Sequence, residues 1–302
     1  MMEAVIRVKE LDANPNEGTV VVDWNKALWN ASIITTSLIL APLYANPSAI
    51  LLFVLLTYLS LLVGHSVGMH RMMIHRSFVA PKYVERFLIY IGVLVGMSGP
   101  IGVIRIHDLR DWAQRQPNCA AFFSHSQPLI KDLMWQLFCK FKFDKEPQLV
   151  IEERYRGDWF YKFLDKTWRF HQLPVAVLLY FVGGMPFLVW GIFVRISFSI
   201  IGHWTITHFC HRSDIKHANS GKWRVKASGV QAVNLNGLGI LTYGECWHNN
   251  HHAFPESAKI GLEKGQADPA WWFIQGLSRL GLAKNIHLPR DKHKREDLEV
   301  VI

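Results

Sequence analysis

The sequence predicts an all-α integral membrane protein built on two helical hairpins, and three observations carry that expectation. First, the 302 residues are 50% hydrophobic and only 19% charged, with 12 Trp and 18 Phe, and mean hydropathy is positive, a balance that points to a bilayer. Second, apolar spans come in pairs, 28–45 with 48–66 and 173–187 with 188–207. Turn signals join them, Asn46-Pro47 and Gly183-Gly184-Met185-Pro186. Each span approaches the roughly 20 residues that cross a bilayer. Third, neither turn carries Lys or Arg, so both turns are expected on the translocated side and both termini in the cytosol.

In chain order, residues 1–26 form a polar cytosolic arm with a β-prone run at Thr19-Val20-Val21-Val22. The first 25 residues hold no apolar h-region, so no cleaved signal peptide is expected. The membrane domain covers 27–285. Its second span runs on into Gly64-His65-Ser66-Val67-Gly68-Met69-His70-Arg71-Met72-Met73-Ile74-His75-Arg76. Residues 87–106 are apolar but broken by Gly92, Gly96, Gly99-Pro100 and Gly102, which fits a re-entrant or interfacial hairpin. Between 127 and 171, Ile130, Leu133, Met134, Leu137, Phe138 and Phe141 recur at helical spacing. That pattern suits a helix in the headgroup layer, or one packed on a soluble core. Arg195 is a charge inside the fourth span, a costly position that is usually functional. Trp271 and Trp272 are candidate interface anchors, and 286–302 is a polar tail.

The net charge of +9 lies outside the apolar spans and suits an anionic membrane surface or a phosphate-bearing substrate. No recognition motif or basic helix supports nucleic acid. Cys119, Cys139, Cys210 and Cys246 show no paired spacing and read as reduced thiols.

The chemistry-bearing residues are histidines. In Gly244-Glu245-Cys246-Trp247-His248-Asn249-Asn250-His251-His252-Ala253-Phe254-Pro255, three of them stand at i, i+3 and i+4, one face of a helix. Packing three imidazoles in an ordinary core is expensive, whereas a metal centre needs them. His70 and His75 are five apart, off one face of a regular α-helix. They converge only if the helix end distorts or two metals sit side by side. His65 extends that run inward as helix packing or metal support. His203, Thr207 and His211 share a face at the end of the fourth span, with His208 three residues before His211. His125, His171, His217, His287 and His293 are isolated and read as structural or solvated. An imidazole-rich set suits Zn, Fe, Cu or Ni alike. There is no HExxH motif for a zincin. A site flanked by lipid-grade helices suits O2 chemistry on an acyl chain, for which iron is the usual metal.

With three clusters set between two hairpins, residues 28–285 resemble the membrane fatty-acid desaturases, specifically the acyl-CoA Δ9 (stearoyl-CoA-like) branch. GECWHNNHHAFPESAKIGL is similar to the GExxHNxHHxFP box of that family, and His70-Arg71-Met72-Met73-Ile74-His75-Arg76 looks like its HRxxxHR box. The family's WxxxHRxHH is placed at Pro100…Ile104-Arg105-Ile106-His107-Asp108, where Arg105 and His107 survive. In this register Asp108 stands where a histidine is usual. The family's Asn-x-x-x-His becomes Thr207-x-x-x-His211.

The resemblance implies four transmembrane helices, a cytosolic helical cap and a di-iron site. The implied ligands are His70, His75, His107, Asp108, His211, His248, His251 and His252, with His203, Thr207 and His208 as metal or supporting residues. Trp204 and Arg195 would line a bent acyl tunnel. It further implies O2 as co-substrate, a fatty acyl substrate, and electrons from a ferredoxin or cytochrome b5-type donor docking on the basic cytosolic face, since no haem, flavin or iron–sulfur motif is present. A lipid or alkane hydroxylase with the same metals is the alternative, and a non-catalytic lipid- or metal-binding membrane protein is the second.

Overall fold

The N-terminal arm is where the all-α expectation needs correction. The β-branched run forms strand β2 (Gly18–Val22), and β1 (Val8–Lys9) precedes it. Each pairs antiparallel with a strand more than a hundred residues away: β1 with β4 (Gln148–Leu149) and β2 with β3 (Cys139–Phe143), Val20 opposite Phe141. The helical periodicity therefore stops at Phe138, and Phe141 belongs to a strand. A third pair joins β5 (Trp223–Val225) to β6 (Leu298–Val300). All else regular is helical in this computed structural model, which describes residues 5–211, 221–289 and 295–301.

Helix α1 (Trp24–Leu40) is capped by Asp23, which accepts from the Lys26 amide at 3.3 Å. Asn46 caps α2 (Pro47–Leu59) in the same way, with Pro47 at the first helical position, where its missing N–H costs nothing. Helix α2 continues into a π-helix over Ser60–Ile74. Among the described residues, the resulting stretch Pro47–Ile74 is one of two long and apolar enough to cross a membrane; the other is Gln172–Cys210. The second comprises α9 (Gln172–Leu188), a π-helical turn at Val189–Val194 and α10 (Arg195–Cys210). Its axis breaks at Gly183 and at Gly184, whose φ of +64° suits a residue without Cβ. The break falls at the expected Gly183-Gly184 turn. Helices α1 and α2 both pack on the 189–194 turn and α10. Leu38, Leu51, Leu55, Phe181 and Val182 remain exposed on the outside of this bundle, a contiguous apolar surface suited to lipid.

The broken apolar run at 87–106 is two helices, α3 (Lys82–Val93) and α4 (Pro100–Arg115). Helix α4 outlasts the apolar run by nine residues, so His107 sits at mid-helix. Short helices α5 (Ala121–Ser124), α6 (Leu129–Phe138), α7 (Glu153–Arg156) and α8 (Trp159–Thr167) follow. Then come α11 (His248–Ala253) and α12 (Pro269–Arg279). The main core lies beneath the π-helix, where Val67, Met69, Met73 and Ile74 pack with Leu88, Ile89, Ile104, Tyr161, Leu164 and Ile274. This core packs the π-helix, which carries His70, against α4, which carries His107.

Candidate metal centre

The π-helix resolves the awkward spacing in the first box. Its i→i+5 bonding brings every fifth residue back over the same face. The rings of His70 and His75 are accordingly 4.8 Å apart. His107 of α4 and His251 of α11 complete the group. Its four donor nitrogens all lie within 4.8 Å of one another, and all four residues are buried. His75 Nε2 and His107 Nε2 are 3.2 Å apart.

A second group gathers His211, His248 and His252 within the same limit. His211 Nε2 faces His248 Nε2 at 3.2 Å and His252 Nε2 at 3.3 Å. The three histidines of α11 therefore do not share one destination: His251 joins the first group, His248 and His252 the second. A six-residue helix is too short to stand alone, and the intervening asparagines pin it. Asn249 donates to Ala232 O and accepts from the Trp223 amide, and Asn250 donates to Ile260 O at 2.9 Å.

Three of these rings are oriented as metal ligands would be. His211 Nδ1 donates to Thr207 O at 2.7 Å, His107 Nδ1 lies 3.0 Å from Asp108 Oδ1, and His70 Nδ1 lies 2.9 Å from Glu245 Oε2. Each contact places the proton on Nδ1 and turns the Nε2 lone pair inward, the arrangement found behind metal-bound histidines. Two nitrogens sharing an ion at about 2.1 Å stand roughly 3 Å apart, which matches the spacings above. One ring proton cannot serve three converging Nε2 atoms, so a cation satisfies them better. Burial, reinforced by neighbouring imidazoles, holds His248 and His251 well below the ordinary imidazole range; burial pushes His252 down to about 4. Neutral rings are what a metal requires. Burial alone would raise Glu245, but His70, Arg71 and Ser66 outweigh it and keep the carboxylate ionised.

The structure separates the remaining candidates. Asp108 gives one oxygen to His107 Nδ1 and the other to Arg7 Nη1 at 2.8 Å. Both of its oxygens are thus engaged behind His107, on the side of the ring away from Nε2. The residue of α4 that shares the inward face is Asp111, one turn on. Sliding WxxxHRxHH so that its first histidine falls on His107 puts its last two on Arg110 and Asp111. Arg7 was missed altogether, although its guanidinium also reaches Glu152 and the carbonyls of Met73 and Ile74. Glu245 carried a signal only as a letter of the third box.

Thr207 spends its hydroxyl on His203 O and contributes its carbonyl to His211. The ring of His203 packs on that of His65 at 5.1 Å. His208 and His125 both bond Asp132 through Nδ1, at 2.7 Å and 3.0 Å, and Trp204 Nε1 donates to the same carboxylate at 2.8 Å. His125 is therefore not isolated; it is buried and stacked on His211 with ring centroids 5.7 Å apart. Arg195 is taken up by Gly191 O, Gln172 Oε1 and Leu94 O, tying the second hairpin to the loop after α3. His171 pairs with Thr167. His217 and His293 lie outside the described residues.

The profile of the family described as Fatty acid desaturase matches residues 45–262, the stretch that contains both histidine groups. The chain belongs to the fatty acid desaturase family. It is 31% identical to icosanoyl-CoA 5-desaturase of Limnanthes douglasii over 85% of this chain and 70% of that protein. It is 32% identical to Delta-9 acyl-lipid desaturase 1 of Arabidopsis thaliana over 77% and 73%. It is 34% identical to sn-1 stearoyl-lipid 9-desaturase of Anabaena variabilis over 76% and 80%. The names of these relatives divide between CoA and lipid carriers and between positions 5 and 9, so the family is wider than the single branch the sequence resembles. As a desaturase the chain is a membrane oxidoreductase acting on acyl chains, and its buried histidine groups fit a metal cofactor.

Proposed function

We propose that this desaturase is a multi-pass, O2-dependent di-iron enzyme that introduces a cis double bond into a saturated acyl chain, with acyl-CoA as carrier and Δ9-like placement. The observation that carries the reading is the pair of converging imidazole groups at one end of the apolar hairpins. Four crossings, with the histidine groups and both termini cytosolic, follow from the charge-free turns. His70, His75, His107 and His251 would hold one iron and His211, His248 and His252 the other. When bound, the irons supply the redox chemistry that activates O2. Overall, the acyl CH2–CH2, O2, two electrons and two protons become CH=CH and two waters.

The residues of the chain do the rest. The π-helix and α11 fix the donor geometry, while Glu245, Asp108 and Thr207 fix the tautomers. Apolar faces of α2 and α10, with Trp204, would guide the acyl chain and exclude bulk water. A cavity of about 230 Å³ lined by Arg7, Asp108, Asp111, Trp112 and Arg115 reaches His75, a polar approach for the two protons. Electrons would come from a ferredoxin or cytochrome b5-type protein drawn to the basic face.

The test is mass spectrometry of lipids formed when purified protein, an electron donor, O2 and saturated acyl-CoA or acyl-lipid are combined. A product lighter by about two mass units supports the reading. A product heavier by about sixteen establishes the hydroxylase alternative instead.

A further inference from the structure

We propose that Asp111 is a donor to the metal centre, its carboxylate set between the four-histidine and three-histidine groups. The inference rests on the di-iron reading above. Asp111 follows His107 by one helical turn, so the two side chains leave α4 on one face. Its Oδ2 lies 3.9 Å from His107 Nε2, the nitrogen that faces His75 across 3.2 Å. The imidazoles of His252, in the other group, and His75 also act on it electrostatically. Asp111 thus stands beside the first group and faces the charge of a member of the second.

Among the described residues its oxygens accept no hydrogen bond: His107 Nε2 and Arg115 Nη2 both stand at 3.9 Å, beyond hydrogen-bonding distance. Arg115 is 40% exposed and weakly placed to hold a carboxylate. Asp108 shows the opposite pattern, with both oxygens engaged. The chemistry also needs such a group. Three imidazoles leave the second group short of the ligands an iron takes, and a carboxylate completes a histidine set without excluding O2. Its anionic charge also offsets the Arg110 guanidinium, whose Nε is buried without a hydrogen-bond partner among the described residues.

The experiment is iron content and Mössbauer spectra of detergent-purified protein reconstituted anaerobically with ⁵⁷Fe(II). The unaltered protein is compared with Asp111→Ala, Asp111→Asn, Asp111→His and Asp108→Asn. Expected are about two irons in the unaltered protein, about one in Asp111→Ala, and recovery of the second in Asp111→His, a donor replacement. Asp108→Asn keeps both, because the amide oxygen still accepts from His107. If Asp111→Ala fails to fold, Asp111→Asn decides through a changed spectrum. Two irons with unchanged spectra in the Asp111 variants overturn the inference and leave the di-iron reading standing. Fewer than two irons in the unaltered protein overturn that reading as well.

Discussion

The backbone N–H of His75 donates to the carbonyl oxygen of His70 across 3.0 Å, so two members of one histidine group are also partners in a single π-helical hydrogen bond. In an α-helix, residues five apart point about 140° away from each other. The wider coil removes that divergence, and the first histidine box depends on it. Deleting Met72 shortens the spacing to four and forces the segment toward α-helical bonding, rotating His75 against His107 and His251. Elemental analysis should show iron falling from about two per chain to about one, with the protein still extracted from membranes.

Arg7 reaches the same group through an intermediary. It grips Asp108 at 2.8 Å, Asp108 holds His107 Nδ1, and the guanidinium also donates to the carbonyls of Met73 and Ile74, where the π-helix ends. Replacing Arg7 with Met keeps bulk and removes every one of these bonds. Partners behind a metal ligand are typically worth 10- to 100-fold in metal affinity, so Arg7→Met should release iron to a competing chelator at about a tenfold lower chelator concentration. The folded protein should persist in detergent, as judged by gel filtration.

The π-helix meets α3 almost backbone to backbone. A Cβ on Gly64 would stand 2.3 Å from the Gly92 nitrogen and 2.4 Å from the Ile91 carbonyl carbon, atoms that cannot swing aside. Gly64→Ala should therefore destabilise the protein by about 3 kcal/mol, read as a lower midpoint of thermal unfolding in detergent. Gly276, inside α12, has nothing within 4 Å of the same position. Gly276→Ala should raise that midpoint, by about 0.5–1 kcal/mol of helix propensity.

Which parts of this were legible in the sequence follows from what is local. The hairpin turns, the helix caps at Asp23 and Asn46 and the histidines themselves are written in adjacent residues. The bonding register of 60–74 is not, because α- and π-helices share one composition. The three histidines of α11 looked like a single face, and the positions of the two groups on either side of that short helix divide them. Phe141 fits a helical period as well as a strand; its partner Val20 lies far away in the chain, and tertiary pairing decides. In the second box, letter matching cannot tell that Asp111 follows His107 by one turn of α4 while Asp108 turns to Arg7. Arg7 was out of reach for the same reason, 101 residues from the aspartate it holds.

Asp158 joins α8 to α3, away from the histidine groups, and pH should reveal it. It caps α8 by accepting from the Phe160 amide at 2.9 Å, and it pairs with Lys82 at 2.9 Å and Arg86 at 3.0 Å. Burial alone would raise its pKa, but those donors prevail and push it down to about 2. A folded-state value below the unfolded one of about 3.9 means stability that is fully present above that pH. It drains away as pH falls toward about 2. Asn caps a helix about as well as Asp, so Asp158→Asn removes the charge and keeps the cap. Lys82 is 66% exposed, which limits the loss at neutral pH to about 1 kcal/mol. Unfolding in detergent should therefore show the variant less stable at pH 7, with the gap closing between pH 4 and 2. A gap that stayed constant through that window would mean the charge of Asp158 contributes nothing, and that its pairs with Lys82 and Arg86 do not hold α8 to α3.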